Sequence, residues 1–133
     1  MKSLNRVFLL GHLGRPPELQ MSKAGKPYCR LNIATHRSWA VADDRGETER
    51  QEVTDWHSVF VWGPLAERCS NYLRKGALVF VEGSLTYWQV AQSSEKGPYK
   101  NAIHANEVKF LNTPKVENLD NLPQAPDHNA VAH

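Results

Sequence analysis

One short helical pattern, set between strand-like segments, constrains the fold of this chain more than any other feature. The pair Gly63-Pro64 opens it, because proline suits the first position of a helix. Apolar residues then recur at helical spacing, at Leu65, Ala66, Cys69, Tyr72 and Leu73. Gly76 follows as a stop signal. The pattern predicts a single helix in a chain that is otherwise extended.

Three strand patterns precede this helix. The segment 4–13 is almost wholly apolar, which predicts a strand buried on both faces. The segment 29–36 alternates with period two, and the alternation places Leu31 and Ile33 inward. The segment 53–62 also alternates, with Trp56, Ser58, Phe60 and Trp62 on one face and His57, Val59 and Val61 on the other. This third strand therefore has an aromatic face and an aliphatic face.

Turn signals and two further strand patterns complete the body of the chain. Asp43-Asp44-Arg45-Gly46 is a turn sequence, so the polar chain around it is predicted to form a long hairpin with a solvated tip. After the helix, a strand over 77–90 contains Gly83, which in a strand marks a bulge or a bend. A turn over 92–98 leads to a last strand over 99–111.

The order of these elements predicts an all-β fold with one short helix. Strand, strand, strand, helix, strand, strand, with a bent fourth strand, is the order of a five-stranded Greek-key barrel of the oligonucleotide-binding kind. Another five-stranded barrel or a half-open sandwich has the same order, and order alone does not choose among them. The barrel domain covers residues 1–112. Residues 113–133, rich in Asn, Pro and Asp, are predicted to be a disordered tail.

Charge is unevenly spread along the 133 residues, whose net charge is +2. Residues 1–111 contain 15 basic and 11 acidic side chains. Within them, the hairpin segment 43–55 carries six acidic residues against two basic ones, so the rest of the body carries +8. A surplus of that size outside one acidic loop indicates a polyanionic partner.

The sequence indicates neither a membrane segment nor a disulfide framework. The longest apolar run near the N-terminus is Val7–Leu10, far short of the ~18 residues of a spanning helix, and no signal-peptide cleavage site follows it. Cys29 and Cys69 lack the spacing of a disulfide framework or a zinc site, and they are interpreted as small buried hydrophobes. We expect a cytoplasmic protein.

The most informative chemical feature is a set of four tryptophans, Trp39, Trp56, Trp62 and Trp88. Core packing is the ordinary role of large aromatics, but Val59 and Val61 already fill the face opposite Trp56 and Trp62. Unpaired nucleic acid needs a basic groove for its phosphates and flat π-faces for its bases, with each stack worth about 1–3 kcal/mol. The sequence therefore predicts a surface that binds single strands without reading their sequence.

Candidate catalytic features have simpler interpretations. Gly11–Arg15 resembles a glycine-rich phosphate loop but lacks its Gly-Lys-Ser/Thr ending, so a tight turn is predicted. The acidic hairpin could hold a divalent ion as in a nuclease, although no spacing fixes the ligand geometry. His57 beside Asp55 suggests acid–base chemistry, but it stands on the aliphatic face, which favours a core or interface role. We predict no catalytic residue, no metal and no cofactor.

Seven longer motifs follow one another along the chain: Asn5-Arg6-Val7-Phe8-Leu9-Leu10-Gly11-His12-Leu13-Gly14-Arg15, Pro17-Glu18-Leu19, Leu31-Asn32-Ile33-Ala34-Thr35, Asp55-Trp56-His57, Gly63-Pro64-Leu65-Ala66-Glu67, Tyr72-Leu73-Arg74-Lys75-Gly76 and Val79-Phe80-Val81-Glu82-Gly83. In order and spacing, this set resembles the bacterial single-stranded DNA-binding protein family over about residues 4–111. The resemblance implies the oligonucleotide-binding barrel. It also implies a homotetramer, or a dimer of two-domain chains, around which single-stranded DNA wraps.

The resemblance further implies roles for particular residues. Trp39 and Trp56 match aromatics that stack on bases, and Trp62 stands where the family commonly has phenylalanine. His57 matches a position at a subunit interface. Basic positions near the phosphates are matched by Arg6, Arg74 and Lys75.

The sequence departs from the family pattern at three places. Pro64 replaces a lysine that often contacts phosphate. Val90 occupies the position of a stacking tryptophan, while Trp88 lies two residues earlier and keeps the same face by alternation. The sequence closes on 127–133 without the acidic tip ending in Pro-Phe, so the resemblance gives no basis for expecting replication and repair partners to be recruited through it.

Residue patterns and resemblance together predict one binding surface and one interface. The predicted nucleic-acid-binding residues are Arg6, Lys26, Arg37, Trp39, Trp56, Phe60, Trp62, Arg74, Lys75 and Trp88. The predicted interface residues are Leu9, His57 and Tyr99. The expected function is sequence-independent binding and protection of single-stranded DNA during replication, recombination and repair by a nucleoid-associated homotetramer. The alternatives are a tail-less primosomal or accessory relative acting through assembly, and a barrel used purely for protein interaction.

Overall fold

The computed structural model describes residues 2–89 and 99–112, in which it places six strands and one helix. The strands are β1 (Val7–Leu13), β2 (Gln20–Met21), β3 (Pro27–Ala42), β4 (Thr48–Trp62), β5 (Leu78–Gln89) and β6 (Tyr99–Asn112), and the helix α1 (Pro64–Tyr72) lies between β4 and β5. The described side chains do not include those of Trp88, Gln89 and Tyr99. The turn predicted over 92–98 and the tail predicted over 113–133 lie outside the described residues.

The strands close into a barrel. Their order in the sheet is β1-β5-β6-β4-β3-β2, and β1 also pairs with β3, through His12 with Ala34 and Leu13 with Ile33. The seam between β4 and β6 is parallel, and the other pairings are antiparallel. This closure confirms the predicted five-stranded barrel with one short helix. The sequence analysis does not predict β2, because two residues are too few to show an alternation.

Aliphatic side chains from alternate strand positions fill the barrel. Residues exposed by 1% or less include Leu31, Ile33, Val59, Val61, Val79 and Val81. The helix adds Ala66 and Cys69, both fully buried. Cys29 is fully buried as well, as expected for a small hydrophobe. The predicted inward face of the third strand is therefore confirmed.

Two glycines lie where the barrel wall approaches another backbone closely. A Cβ at Gly83 would clash with the carbonyl oxygen of His104, and the register of β5 and β6 shifts between Glu82 and Gly83, which confirms the predicted bulge. A Cβ at Gly11 would clash with the carbonyl oxygen of Ala34. Gly11 thus lies inside β1, where the strand changes partner, and not in the predicted tight turn.

The prediction that the first strand is buried on both faces is wrong. Phe8 is 58% exposed and Leu10 is 56% exposed, while Leu9 between them packs against the core. A barrel wall has one inner face, so alternate residues of β1 point outward. Phe8, Leu10 and Phe80, which pairs with Leu10, form a surface that we call the apolar face.

The predicted long hairpin is present. β3 and β4 stay paired as far as Ala42 and Thr48. At the tip, the carboxylate of Asp43 accepts hydrogen bonds from the backbone N–H groups of Arg45 at 2.9 Å and Glu47 at 2.8 Å, as short polar side chains do in turns. Among the residues described, no helix has the length and apolar character needed to cross a membrane.

Candidate nucleic-acid interface

Four neighbouring strands, β3, β4, β6 and β5, share an outer surface that we call the aromatic face. Cross-strand pairing places Tyr28 beside Trp62 and Arg30 beside Phe60, and Phe60 beside His104. The second half of β5 adjoins His104 through Ser84. The residues that define this face are Tyr28, Arg30, Phe60, Trp62, Thr86 and His104.

Tyr28 joins the predicted aromatics of this face, although the sequence analysis does not single it out. Its ring stacks on Trp62 with centroids 4.9 Å apart and lies 6.4 Å from the ring of Phe60. Its hydroxyl donates to the Oε1 atom of Gln20 at 2.8 Å. Tyr28 comes just before the alternating segment 29–36 from which the second strand was predicted. Its position beside Trp62 follows only from the pairing of β3 with β4.

The aromatic face is positively charged. Its described barrel segments, 28–34, 56–62, 84–87 and 100–104, contain no acidic residue. Arg30 is half-buried among them, and its Nη2 atom donates to the hydroxyl of Ser58 at 2.7 Å. Burial, followed by the positive charge of Arg15, lowers the pKa of Arg30. The positive charge of Arg15 therefore acts on Arg30, which lies on the same face as Phe60.

The basic residues at 74 and 75 lie in a loop that the backbone attaches to the end of β1. Gly76 N–H donates to the carbonyl of Leu13 at 2.7 Å, and Leu13 N–H donates to Ala77 at 2.9 Å. Gly14 N–H donates to the carbonyl of Asn32 in β3 at 3.0 Å. These bonds bring the loops that carry Arg15 and Arg74-Lys75 to the same end of the barrel. Their contact with phosphate stays a prediction.

The hairpin tryptophans lie on opposite faces of the hairpin. Trp56 shares a face with Phe60 and Trp62, because side chains alternate along β4. Trp56 pairs with Ala34, and Trp39 lies five residues beyond Ala34 on β3, where it pairs with Gln51. An odd separation places Trp39, 43% exposed, on the other face. A single-stranded nucleic acid whose bases stack on both indole rings must therefore contact both faces of the hairpin.

Arg37 is held beside Trp39 by an acidic partner. Its Nε atom donates to Asp55 Oδ2 at 2.5 Å and its Nη2 atom to Oδ1 at 3.2 Å. Its guanidinium lies 5.8 Å from the centre of the Trp39 ring, within cation–π range. The same pair raises the pKa of Arg37 and lowers the pKa of Asp55. Arg37 is therefore positioned on the ring more firmly than an isolated arginine.

The other predicted cations are dispersed. The Nη1 atom of Arg6 donates to Glu82 Oε1 at 2.5 Å, and Glu82 pairs with Phe8 of the apolar face. Lys26 is exposed in the turn between β2 and β3, where its backbone N–H donates to the hydroxyl of Ser22 at 3.0 Å. The structure thus joins Phe60 and Trp62 through Tyr28 and gives Arg6 a carboxylate partner.

Comparison with known proteins identifies the family of this barrel. The sequence profile of the Single-strand binding protein family matches residues 4–111. The chain belongs to that family. The Single-stranded DNA-binding protein of Neisseria meningitidis serogroup A is 39% identical over 111 residues, which cover 82% of this chain and 60% of that protein. The chain thus spans about 60% of the length of this relative.

Solved structures of the family share the fold. The wild-type single-stranded DNA binding protein from Thermus aquaticus superposes with a TM-score of 0.66 at 34% identity, covering 82% of this chain and 50% of that one. The Plasmodium falciparum SSB complex with ssDNA superposes with a TM-score of 0.69 at 28% identity, covering 84% of this chain and 98% of that one. The barrel is therefore the oligonucleotide-binding barrel.

The interface residues predicted from the family resemblance fall into different environments. His57 is half-buried, and its Nε2 atom lies 2.8 Å from the hydroxyl oxygen of Thr35. Burial lowers the pKa of His57, and the charge of Asp55 opposes that shift. Leu9 packs against the core. The side chains of Tyr99 and of Trp88, which the sequence predicts to bind nucleic acid, lie outside the described residues. The roles of all four residues stay predictions.

The acidic hairpin has no arrangement that suits a metal ion. Within 2–89 and 99–112, no three or more His, Cys, Asp or Glu side chains come together as ligands would. Asp43 is engaged by backbone N–H groups of its own turn, and Asp55 is engaged by Arg37. These contacts give two of the six hairpin carboxylates structural partners.

Proposed function

We propose that this chain binds single-stranded DNA without sequence preference and protects it during replication, recombination and repair. One observation carries the proposal: an outer face with three clustered aromatic rings has no acidic residue in its described barrel segments and includes the cation Arg30. Family membership supports it, since the meningococcal relative is named a single-stranded DNA-binding protein. The Plasmodium structure is a complex with ssDNA.

The proposed mechanism needs no catalytic group. Unpaired bases stack on Trp56, Phe60 and Trp62, while Arg74 and Lys75 neutralise phosphates. Stacking is tolerant of sequence because every base has a π-face. Duplex DNA keeps its bases stacked on one another, so it offers phosphates alone to this surface. Strand selectivity therefore follows from the rings, and salt sensitivity follows from the cations.

The test is a comparison of one labelled oligothymidine with a duplex of equal length, followed by fluorescence anisotropy. The single strand should bind more tightly. Its affinity should fall with salt along a log–log slope of about −0.7 per phosphate neutralised. Equal affinity for both substrates would contradict the stacking part of the proposal, and salt-independent affinity would contradict the electrostatic part.

We also propose that the protein assembles as a homotetramer and acts in the cytoplasm on nucleoid DNA. The apolar face supports assembly, because exposed apolar clusters mark protein interfaces. Its Phe8 and Phe80 rings stack with centroids 6.0 Å apart and leave Phe8 58% exposed. Along Val7–Leu10, β1 pairs with β5 on one edge, while β3 joins it only at His12 and Leu13. Within 2–89 and 99–112, no strand pairs with the other edge of Val7–Leu10, and an unpaired edge beside apolar side chains suits a second copy.

A further inference from the structure

The two cysteines of the chain meet in the core, where α1 packs against β3. Cys29 belongs to β3 and Cys69 to α1, and both side chains are fully buried and carry free thiols. The thiol of Cys29 donates to the carbonyl oxygen of Ala66 at 3.7 Å. This contact joins the strand to the first turn of the helix.

Helix geometry brings the second thiol to the same place. Residues three apart lie on one face of a helix, so Cys69 shares the face of Ala66. Helical side chains tilt towards the N-terminus of their helix, which points the thiol of Cys69 back to the turn that Cys29 contacts. A hydrogen bond joins the two thiols. A small movement of α1 is therefore enough to bring the sulfur atoms to bonding distance.

The hydrogen bond between the thiols gives them different acidities. It lowers the pKa of Cys29, an effect that burial opposes, and it raises the pKa of Cys69, which burial raises further. The thiolate is the nucleophile in thiol oxidation. Cys29 is therefore the thiol that ionises first, and Cys69 is its neutral neighbour. A nucleophilic thiol beside a second thiol is the arrangement of a reversible redox site.

Helix α1 controls access to the two thiols. The buried residues of the helix are Ala66 and Cys69, both of them small. Its N-cap residue, Gly63, makes no side-chain capping hydrogen bond, and its last turn contains no basic residue. A helix this short is marginally stable apart from its packing. Movement of α1 away from the barrel is therefore a local opening of low cost, and it admits a small oxidant.

We propose that Cys29 and Cys69 form a modification site for a hydroperoxide, which converts them to a disulfide that fastens α1 to β3. The thiolate of Cys29 attacks the O–O bond of hydrogen peroxide, becomes a sulfenic acid, and releases the other oxygen as water after that oxygen takes up the thiol proton. The sulfur of Cys69 then displaces the sulfenic oxygen, which leaves with the Cys69 proton as a second water. The two thiols lose two electrons and two protons, and the peroxide is reduced to two waters.

The position of the pair gives the disulfide a protective role. Disulfide formation stops oxidation at a step that thiol exchange reverses, before sulfinic acid forms. The neighbours of Cys29 in β3, Tyr28 and Arg30, lie on the aromatic face, whereas Cys29 points inward. Oxidation therefore fixes the helix from inside the barrel and leaves the outer surface unmodified. The inference is independent of the proposed function.

Hydrogen peroxide added to the reduced full chain tests the modification. The intact mass should fall by two hydrogen atoms, and peptide mapping without reductant should recover Cys29 joined to Cys69 within one chain. Dithiothreitol should restore both thiols. The chain has no third cysteine, so the mapping is unambiguous. Two unreacted thiols, disulfides between chains, or conversion of either cysteine to sulfinic acid would each overturn the proposal.

Serine variants separate the roles of the two thiols. Cys69→Ser retains a hydrogen-bond donor beside Cys29 but cannot form the disulfide, so peroxide should leave a sulfenic acid at Cys29 that dimedone labels. Cys29→Ser should be labelled at least about tenfold less under the same conditions. Circular dichroism confirms that both variants are folded. Equal labelling of the two variants would overturn the assignment of Cys29 as the nucleophile.

Thermal unfolding tests whether the disulfide fastens the helix. A disulfide restricts the unfolded chain, so the oxidised protein should melt at least about 5 °C above the reduced protein. Cys69→Ser is the control and should melt at the same temperature before and after peroxide treatment. An unchanged melting temperature in the oxidised wild type, or an equal rise in Cys69→Ser, would overturn the fastening of α1 to β3.

A helix variant tests the opening that admits the oxidant. Glu67 is exposed on α1, and glycine weakens a helix at such a position, so Glu67→Gly should form the disulfide about threefold to fivefold faster. Lys23→Gly, in the exposed turn between β2 and β3, is the matched control and should react at the wild-type rate. Equal rates for Glu67→Gly and the wild type would overturn the role of α1 as the cover.

Discussion

The aromatic face and the apolar face both carry aromatic rings that are at least partly exposed, and the two faces differ in charge. The aromatic face joins Tyr28, Phe60 and Trp62 to Arg30, and its described barrel segments contain no carboxylate. The apolar face joins Phe8 to Phe80, and the neighbouring Arg6 is neutralised by Glu82. A polyanion gains electrostatic attraction from the first surface and little from the second.

The difference teaches that an exposed ring does not by itself indicate a nucleic-acid site. Stacking rings suit bases and partner side chains equally well, because both are flat and apolar. Uncompensated positive charge distinguishes a surface that binds nucleic acid from one that binds a second copy of the chain. A second copy would bring the same positive face and would be repelled. We therefore propose that the aromatic face binds DNA and that the apolar face contacts another copy of the chain.

The largest expected effect comes from charging the apolar face. Phe8→Glu with Leu10→Glu should reduce the assembly from four chains to one or two, because like charges would face each other without apolar contact. Light scattering coupled to size-exclusion chromatography measures the mass. Tyr72→Glu, at a site 65% exposed on α1, is the control and should leave the mass unchanged. A wild-type mass of one 15.1 kDa chain would contradict the assignment.

The next effect in size is the loss of one stacking ring. Trp56→Ala should cost about 1–3 kcal/mol of oligothymidine binding, measured by anisotropy at fixed salt. Trp56→Phe retains a π-face and should lose less. If Trp56→Ala unfolds the protein instead, the indole of Trp56 packs in the core and does not belong to the binding surface.

A smaller effect is expected on the salt dependence of binding, which should differ between variants at Arg74 and Lys75 and a variant at Arg6, whose charge is paired with Glu82. Arg74→Gln with Lys75→Gln should make the salt slope shallower by about 0.7 for each phosphate that the variant no longer neutralises. Arg6→Gln should leave the slope unchanged, because Arg6 is already paired with Glu82 at 2.5 Å. The slopes come from titrations at several salt concentrations. A larger change for Arg6→Gln than for the double variant would reverse the assignment of charge to the two faces.

Patterns along each strand predicted the fold well, because they report which residues share a face. The helix begins at Pro64 as predicted, the bulge lies at Gly83, and Val59 and Val61 are fully buried. The same patterns cannot say what covers the outer face of a strand. The apolar run of β1 was therefore assigned to burial on both sides, whereas Phe8 is exposed.

The sequence patterns also could not predict which residues of different strands lie side by side, because each pattern describes one strand alone. The pairing of Trp56 with Ala34 places Trp39 on the opposite face of the hairpin, and this depends on a register that alternation within one strand does not give. The place of Tyr28 on Trp62 and the pair of Arg6 with Glu82 are also cross-strand contacts. The site was predicted as a set of residues, and the structure shows which of them lie together.

The smallest expected effect concerns His57. Burial lowers its pKa in the folded chain below the unfolded value of about 6.5, so the unfolded chain binds more protons. Stability should therefore fall as pH drops below about 6.5. Thermal unfolding between pH 5 and pH 7.5 measures the trend, and His57→Gln should flatten it. An equal pH dependence in the variant would assign the loss to other groups.

Tryptophan emission tests the central claim, that indoles on the outer surface receive the bases of an unpaired strand. Wild-type protein is titrated with oligothymidine and with duplex, while anisotropy of the labelled DNA reports binding in the same samples. We predict that emission is quenched as the single strand binds and stays nearly constant with duplex. Unchanged emission at saturation with bound single strand would contradict the account.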